Sequence, residues 1–333
     1  MFNILKKICL LISILIFSCT PPTTTPKDKE HFENRIKEIY NFYPSEVSFE
    51  VIEEKSRAMD DFWNLCKSSK RKYLPLLREK LKQEGNNRFF YFDGSSLLLT
   101  LSTSKEDMEI AAQAISKSNL KDIQPEPYFH MVHFLAANQM DVYPAIENIL
   151  NAPNFKIFVP QHFLTLGQDY SVLYCLLPMN EILYLDRLIQ RLNIEKNTES
   201  IKTILQAIAF TVTEKGQNAI KKYADTTKDP ELLKSSQYYL KLENKKALPE
   251  INILSKRKHF DDFLNDLIKR NYESKKYYFE TYMIEGPYLV RKEDYHKIKQ
   301  ARKTIARRKV SDENLKDIQY LTELLQYAFT SED

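Results

Sequence analysis

Ser200–Thr213 reads SIKTILQAIAFTVT and Gln217–Asp225 reads QNAIKKYAD, with three residues between them. In the first segment Ile201, Ile204, Leu205 and Ile208 recur at spacings of three and four, the period of one helical face. The pair predicts two short amphipathic helices joined by a tight turn. The same arrangement repeats along the chain. Gly94–Leu101 precedes Lys105–Lys117, Tyr128–Asn138 precedes Val142–Asn151, and Asp169–Leu177 precedes Glu181–Leu192. Pro230–Leu242 opens a fifth pair. The period is about 30 to 40 residues, as in helical-hairpin arrays. Helices this short cannot bury their apolar faces pair by pair, so the pairs are expected to stack.

The flanks are also helical in pattern. His31–Phe42 carries Phe32, Ile36, Ile39 and Tyr40 at helical spacing. Met59, Phe62, Trp63 and Cys66 form a second apolar stripe, and Leu74, Leu77 and Leu81 a third. Pro75 lies near the start of that third segment, where a missing N–H costs least. Arg88–Phe92 (RFFYF) reads as a short strand or an extended buried link, with Asp93 as the N-cap of the next helix. Towards the C-terminus, Phe260, Phe263, Leu264 and Leu267 mark another helix. Lys275–Tyr288 is rich in aromatic residues and reads as a β-rich insertion or a long ordered loop. Asp294–Arg308 and Asp312–Tyr327 are two closing helices, the second capped by Ser311.

The helix pairs of residues 93–242 resemble divergent HEAT-type repeats in helix length, turn placement and apolar pattern. That resemblance implies a HEAT-like α-solenoid. The expected fold is all-α: an irregular stack of helical hairpins, preceded by a helical region over 29–92 and followed by a helical C-terminal extension over 243–333.

The N-terminus has a different character. MFNILKKICLLISILIFSCT places Lys6 and Lys7 before an apolar run from Ile8 to Phe17, interrupted only by Ser13. A run of that length suits a signal peptide and is short for a membrane span. Ile16-Phe17-Ser18-Cys19 resembles the lipobox of bacterial lipoproteins, with Phe17 larger than the usual residue at its position. The resemblance implies cleavage after residue 18 and a diacylglyceryl (palmitate-type) anchor on Cys19. Thr20–Asp28 (TPPTTTPKD) reads as an extended Pro/Thr tether over 19–28. Thr20 is not the aspartate that retains many lipoproteins in the inner membrane. The resemblance therefore favours the outer membrane of the cell envelope, where there is one.

Composition narrows the function classes. Without the signal peptide, the remaining 315 residues carry 47 basic and 45 acidic groups. A body so near neutrality lacks the basic excess of a general nucleic-acid binder. The chain has only 5 glycines. Phosphate loops and hairpin turns draw on glycine, so its scarcity argues against a nucleotide-binding α/β fold or a β-barrel. HExxH, GxSxG, GxxxxGK[ST] and CxxC are all absent from the sequence, and no cofactor is expected.

Four sets of residues invite chemistry. His130 and His133 stand at i and i+3 on a predicted helix, where two imidazoles can share a divalent metal with a third ligand such as His162 or Asp169. The competing reading makes His133, amid apolar neighbours, a core residue satisfying a backbone carbonyl. Asp93, Asp169 and Glu181 are candidate acid–base carboxylates or, at predicted helix starts, plain caps. Cys66 and Cys175 sit in apolar surroundings and read as buried thiols, although an exported protein is permitted a disulfide. Residues 291–309 carry a local charge of +7 and residues 311–333 a local charge of −5. Lys299, Lys303 and Arg307 form one stripe, beside a buried stripe of Ile298, Ala301 and Ile305. The basic stripe can meet an anionic surface, or it can be a solvated face of a helical hairpin.

The expected function is a membrane-anchored envelope lipoprotein acting as a non-enzymatic interaction or scaffold module for a protein or peptide partner. The alternative is a metal-assisted envelope hydrolase using His130 and His133.

Overall fold

The computed structural model describes residues 24–40, 49–83, 85, 86, 88–152, 155, 172, 175, 176, 179, 181–240, 260–270, 290–308 and 311–330. Every regular element among these residues is a helix, so the chain is all-α. The chain divides into two units, residues 1–119 and 120–333. Residues 1–18, expected to form a signal peptide, Cys19 and the segment Lys275–Tyr288 lie outside the described residues. None of the described helices is long and apolar enough to cross a membrane.

The first unit contains α1 (Pro26–Tyr40), α2 (Phe49–Ser68), α3 (Lys70–Lys82), α4 (Arg88–Leu101) and α5 (Lys105–Ile115). Helix α1 begins earlier than the apolar spacing predicts. The Asp28 N–H donates to Thr25 Oγ1 at 3.2 Å, and the Thr25 N–H donates to Asp28 Oδ2 at 3.0 Å. Reciprocal capping of this kind satisfies free donors at a helix start, and Pro26 fits the first helical position. Pro26–Asp28 therefore belong to the folded body, where an extended tether was expected. Phe32 on α1 packs its ring 5.5 Å from that of Phe62 on α2 and 6.1 Å from that of Tyr73 on α3.

RFFYF is helical, against the expectation of a strand. Phe90, Tyr91, Leu97, Leu98 and Leu101 are all buried and fall on one helical face that runs through the segment. Asp93 is accordingly inside α4 and caps nothing. Gly94 follows it, and a Cβ there would stand 3.0 Å from Leu81 Cδ2 and from Phe90 Cζ. Glycine at this position lets α4 approach α3 closely.

The second unit contains α6 (Pro125–Ala137), α7 (Tyr143–Leu150), α8 (Glu181–Ile194), α9 (Thr198–Phe210), α10 (Glu214–Thr226) and α11 (Pro230–Leu240), then α12 (Phe260–Lys269), α13 (Tyr295–Ala306) and α14 (Asp312–Thr330). Observed bounds follow the predicted pairs to within a few residues, except for Asp169–Leu177, most of which is outside the described residues. Helices α8 to α11 pack successively, and α13 packs against both α12 and α14.

With little glycine, this unit ends its helices in other ways. Gln139, Val212 and Arg270 take the left-handed conformation after α6, α9 and α12, at φ of 66°, 49° and 55°. Glycine is the usual occupant of that position. Several terminal carbonyls are met by side chains distant in sequence. Ser200 Oγ donates to Leu150 O at 2.7 Å, and Arg302 Nη1 donates to Phe210 O at 2.8 Å. Tyr295 Oη donates to Val212 O at 2.5 Å. Each bond satisfies a carbonyl that the helix itself leaves without a partner.

Candidate functional site

The two histidines of α6 have different surroundings. His130 is exposed and His133 is buried. His133 Nε2 lies 2.6 Å from Ala306 O, the last carbonyl of α13. A carbonyl only accepts, so this nitrogen carries the proton. Burial, opposed by the bond to Ala306, lowers the His133 pKa below its ordinary value. His162 and Asp169 lie outside the described residues. Among the described residues no group of three or more His, Cys, Asp or Glu side chains is placed to hold a metal ion.

The basic stripe on α13 is only partly open to solvent. Ile298, Ala301 and Ile305 are buried, as the spacing predicts, and so is Arg302 between them. Arg302 bonds Thr322 Oγ1 of α14 at 2.9 Å in addition to Phe210 O. Lys299 is half-buried, with its ammonium 5.3 Å from the centre of the Tyr295 ring. Lys303 is also half-buried, and Arg307 is exposed. Of the three cations, only Arg307, at the end of the helix, is exposed.

Two carboxylates of the first unit are perturbed in opposite directions. Asp107, whose side chain is 0% exposed, accepts from Arg78 Nε at 2.5 Å and Arg78 Nη2 at 2.7 Å. Ser104, the N-cap of α5, adds a hydroxyl donor at 2.6 Å. Burial pushes the Asp107 pKa up, but these bonds outweigh it and hold the carboxyl at about 2. Asp93 accepts only from Tyr40 Oη, at 3.0 Å, among the bonds described for it. Burial raises its pKa to about 6, against the lowering effect of that bond. Glu181 opens α8, as expected of a residue at a helix start. Cys66 and Cys175 are both buried and outside any disulfide, and Cys175 Sγ donates to Phe129 O at 3.9 Å.

No family model, curated protein or solved structure matches the chain.

One surface feature went unread in the sequence. The turn from α2 into α3 reads KSSKRK, residues 67–72. Lys67, Ser68, Lys70 and Arg71 are exposed, and the turn forms a shallow open depression. Its signal was visible as four cations in six residues, but a short polar run between two apolar stripes reads as an ordinary link. Among the described residues of the second unit, three large apolar side chains are exposed: Phe134 at 38%, Tyr238 at 51% and Ile194 at 71%.

Proposed function

We propose that this chain is a lipid-anchored protein of the bacterial envelope, held by Cys19, whose HEAT-like helical body is a rigid scaffold for a protein partner. The observation that carries this reading is how the polar groups of the body are used. His133, Arg302, Tyr295 and Ser200 tie helix ends together, and Arg78 and Asp107 join α3 to α5. Side chains of the types that serve catalysis are here committed to fixing the relative positions of helices. Such a body holds its surface in one shape, which suits recognition. Among the described residues, Ile194 and Tyr238 are the most exposed large apolar side chains.

The test uses the native, lipid-modified protein in intact cells. A photo-crosslinking residue is placed in turn at Ile194, at Tyr238 and, as a control, at the exposed Lys221. Discrete adducts at Ile194 or Tyr238 that Lys221 does not give are the expected result. Identical diffuse labelling at all three positions would remove the scaffold reading. Labelled palmitate tests the anchor separately: incorporation should be lost in Cys19→Ser, and equal label in both proteins would rule out Cys19.

A further inference from the structure

We propose that the basic turn Lys67–Lys72 is a second membrane contact, which docks the first unit on anionic lipid headgroups beside the Cys19 anchor. The inference rests on the lipid-anchor reading for its geometry. The described residues begin beside this turn. Thr24 Oγ1 donates to Lys72 O at 3.3 Å, and Lys72 Nζ pairs with Asp28 Oδ1 at 2.6 Å. The next residue of α1, Lys29, pairs with Glu79 of α3 at 2.6 Å. The start of α1 is thereby pinned to α3. Cys19 lies five residues before Thr24, and five residues reach at most about 17 Å even when fully extended. A lipid on Cys19 therefore brings the turn close to the bilayer, whatever path those residues take.

The charge left at the turn has the right sign for that surface. Asp28 neutralises Lys72, while Lys67, Lys70 and Arg71 have no ion pair among the described residues. The nearest acidic groups earlier on α2, Asp60 and Asp61, precede Lys67 by more than a turn. Ser69 is the N-cap of α3, but its side chain makes no capping bond. The positive end of the α3 dipole meets the negative end of the α2 dipole at this turn, so the two offset and the field rests on the side-chain charges. Lys67 stands 5.7 Å above the ring of Trp63, one turn back on α2. Trp63 is half-buried, and tryptophan is the residue type that settles at a bilayer interface.

A diacylglyceryl group on Cys19 would hold the chain at the membrane by itself, and the basic cluster adds a second, electrostatic contact that fixes how the first unit lies on it. Three cations near an anionic surface strengthen binding by about a hundredfold at moderate salt. The gain fades as the Debye length shortens from ~10 Å at 0.1 M salt to ~3 Å at 1 M. The stripe of Lys299, Lys303 and Arg307 belongs to the second unit.

Trp63 is the only tryptophan of the chain, so it reports docking directly. The experiment uses residues 19–333 with Cys19→Ser, which keeps every described residue and removes the lipid. Vesicles contain either phosphatidylcholine alone or phosphatidylcholine with phosphatidylglycerol, each with and without brominated chains. The expected result is flotation with anionic vesicles only, loss at 1 M salt, and quenching of Trp63 by brominated anionic lipid. Lys67→Gln, Lys70→Gln and Arg71→Gln together should weaken binding by about a hundredfold. Wild type that fails to prefer anionic vesicles would overturn the proposal, as would a triple variant that binds equally well. Loss of binding in a Lys299/Lys303/Arg307 triple glutamine variant, with the turn intact, would overturn it too. Because the vesicle assay needs no acylation, its failure and a failure of palmitate labelling at Cys19 are distinct results.

Discussion

Asp107→Asn should destabilise the first unit by about 2.5 kcal/mol at pH 7, and the loss should shrink as the pH falls. The carboxylate is fully buried and receives two bonds from Arg78 and one from Ser104. Its folded pKa of about 2 compares with an ordinary value of 3.8. Each unit of that difference is about 1.4 kcal/mol of preference for the charged form. The folded pKa is depressed, so the stabilisation is present above the unfolded pKa and is lost as pH falls through the folded one. About 1 kcal/mol should remain at pH 3. Asparagine keeps the shape and the bond to the α5 cap but removes the charge that Arg78 faces. Urea unfolding followed by Trp63 fluorescence reads the right unit, since Trp63 lies on α2. A loss below about 0.5 kcal/mol at pH 7, or an equal loss at pH 3 and pH 7, would refute the argument that the ion pair sets the stability of this contact.

Three further outcomes are expected. Asp93 has the opposite sign: its folded pKa of about 6 is raised, so the unit loses stability as pH rises from about 4 through 6, and Asp93→Asn should gain up to about 3 kcal/mol at pH 8 and nothing at pH 4 by the same fluorescence assay. His133→Leu leaves Ala306 O without its partner and should lower the stability of the second unit by about 1–3 kcal/mol in a circular-dichroism melt; in the wild type the lowered His133 pKa means stability falls as pH drops below the unfolded value near 6.5. Burial pushes the Cys66 thiol up to about 12, so it should resist Ellman's reagent in the native protein at pH 8 and react once urea unfolds the first unit.

The helices were legible because their signal is local. Ile201, Ile204, Leu205 and Ile208 declare a buried face within two turns, and Pro230 marks a helix start without any tertiary information. RFFYF misled because four consecutive aromatic residues of high strand propensity outweigh a helical period visible only when Leu97, Leu98 and Leu101 are included. The capping role of Asp93 failed with it, since a cap has meaning only at a boundary. His133 was legible as a core histidine from its apolar neighbours, but its partner was not, because Ala306 lies 173 residues away. The basic turn was legible as charge. What gives it direction is Thr24 against Lys72, a contact across 48 residues that no spacing rule encodes.

Those long-range bonds change what the C-terminal helices mean. In a solenoid bound only by nearest neighbours, a helical pair appended at the end adds stability locally and can be trimmed without consequence for the rest. Here α13 supplies Arg302 to the end of α9 and Tyr295 to Val212, across 92 and 83 residues, and its own last carbonyl is met by His133 of α6. The carbonyls concerned belong to helix ends that glycine does not terminate, and Val212 holds a left-handed conformation that a β-branched residue adopts at a cost. That cost is sustained only while the surrounding contacts persist. Helices that resemble an extension in sequence order are therefore joined to the interior of the second unit, and α6, α9 and α13 are bound to one another without being neighbours in the chain.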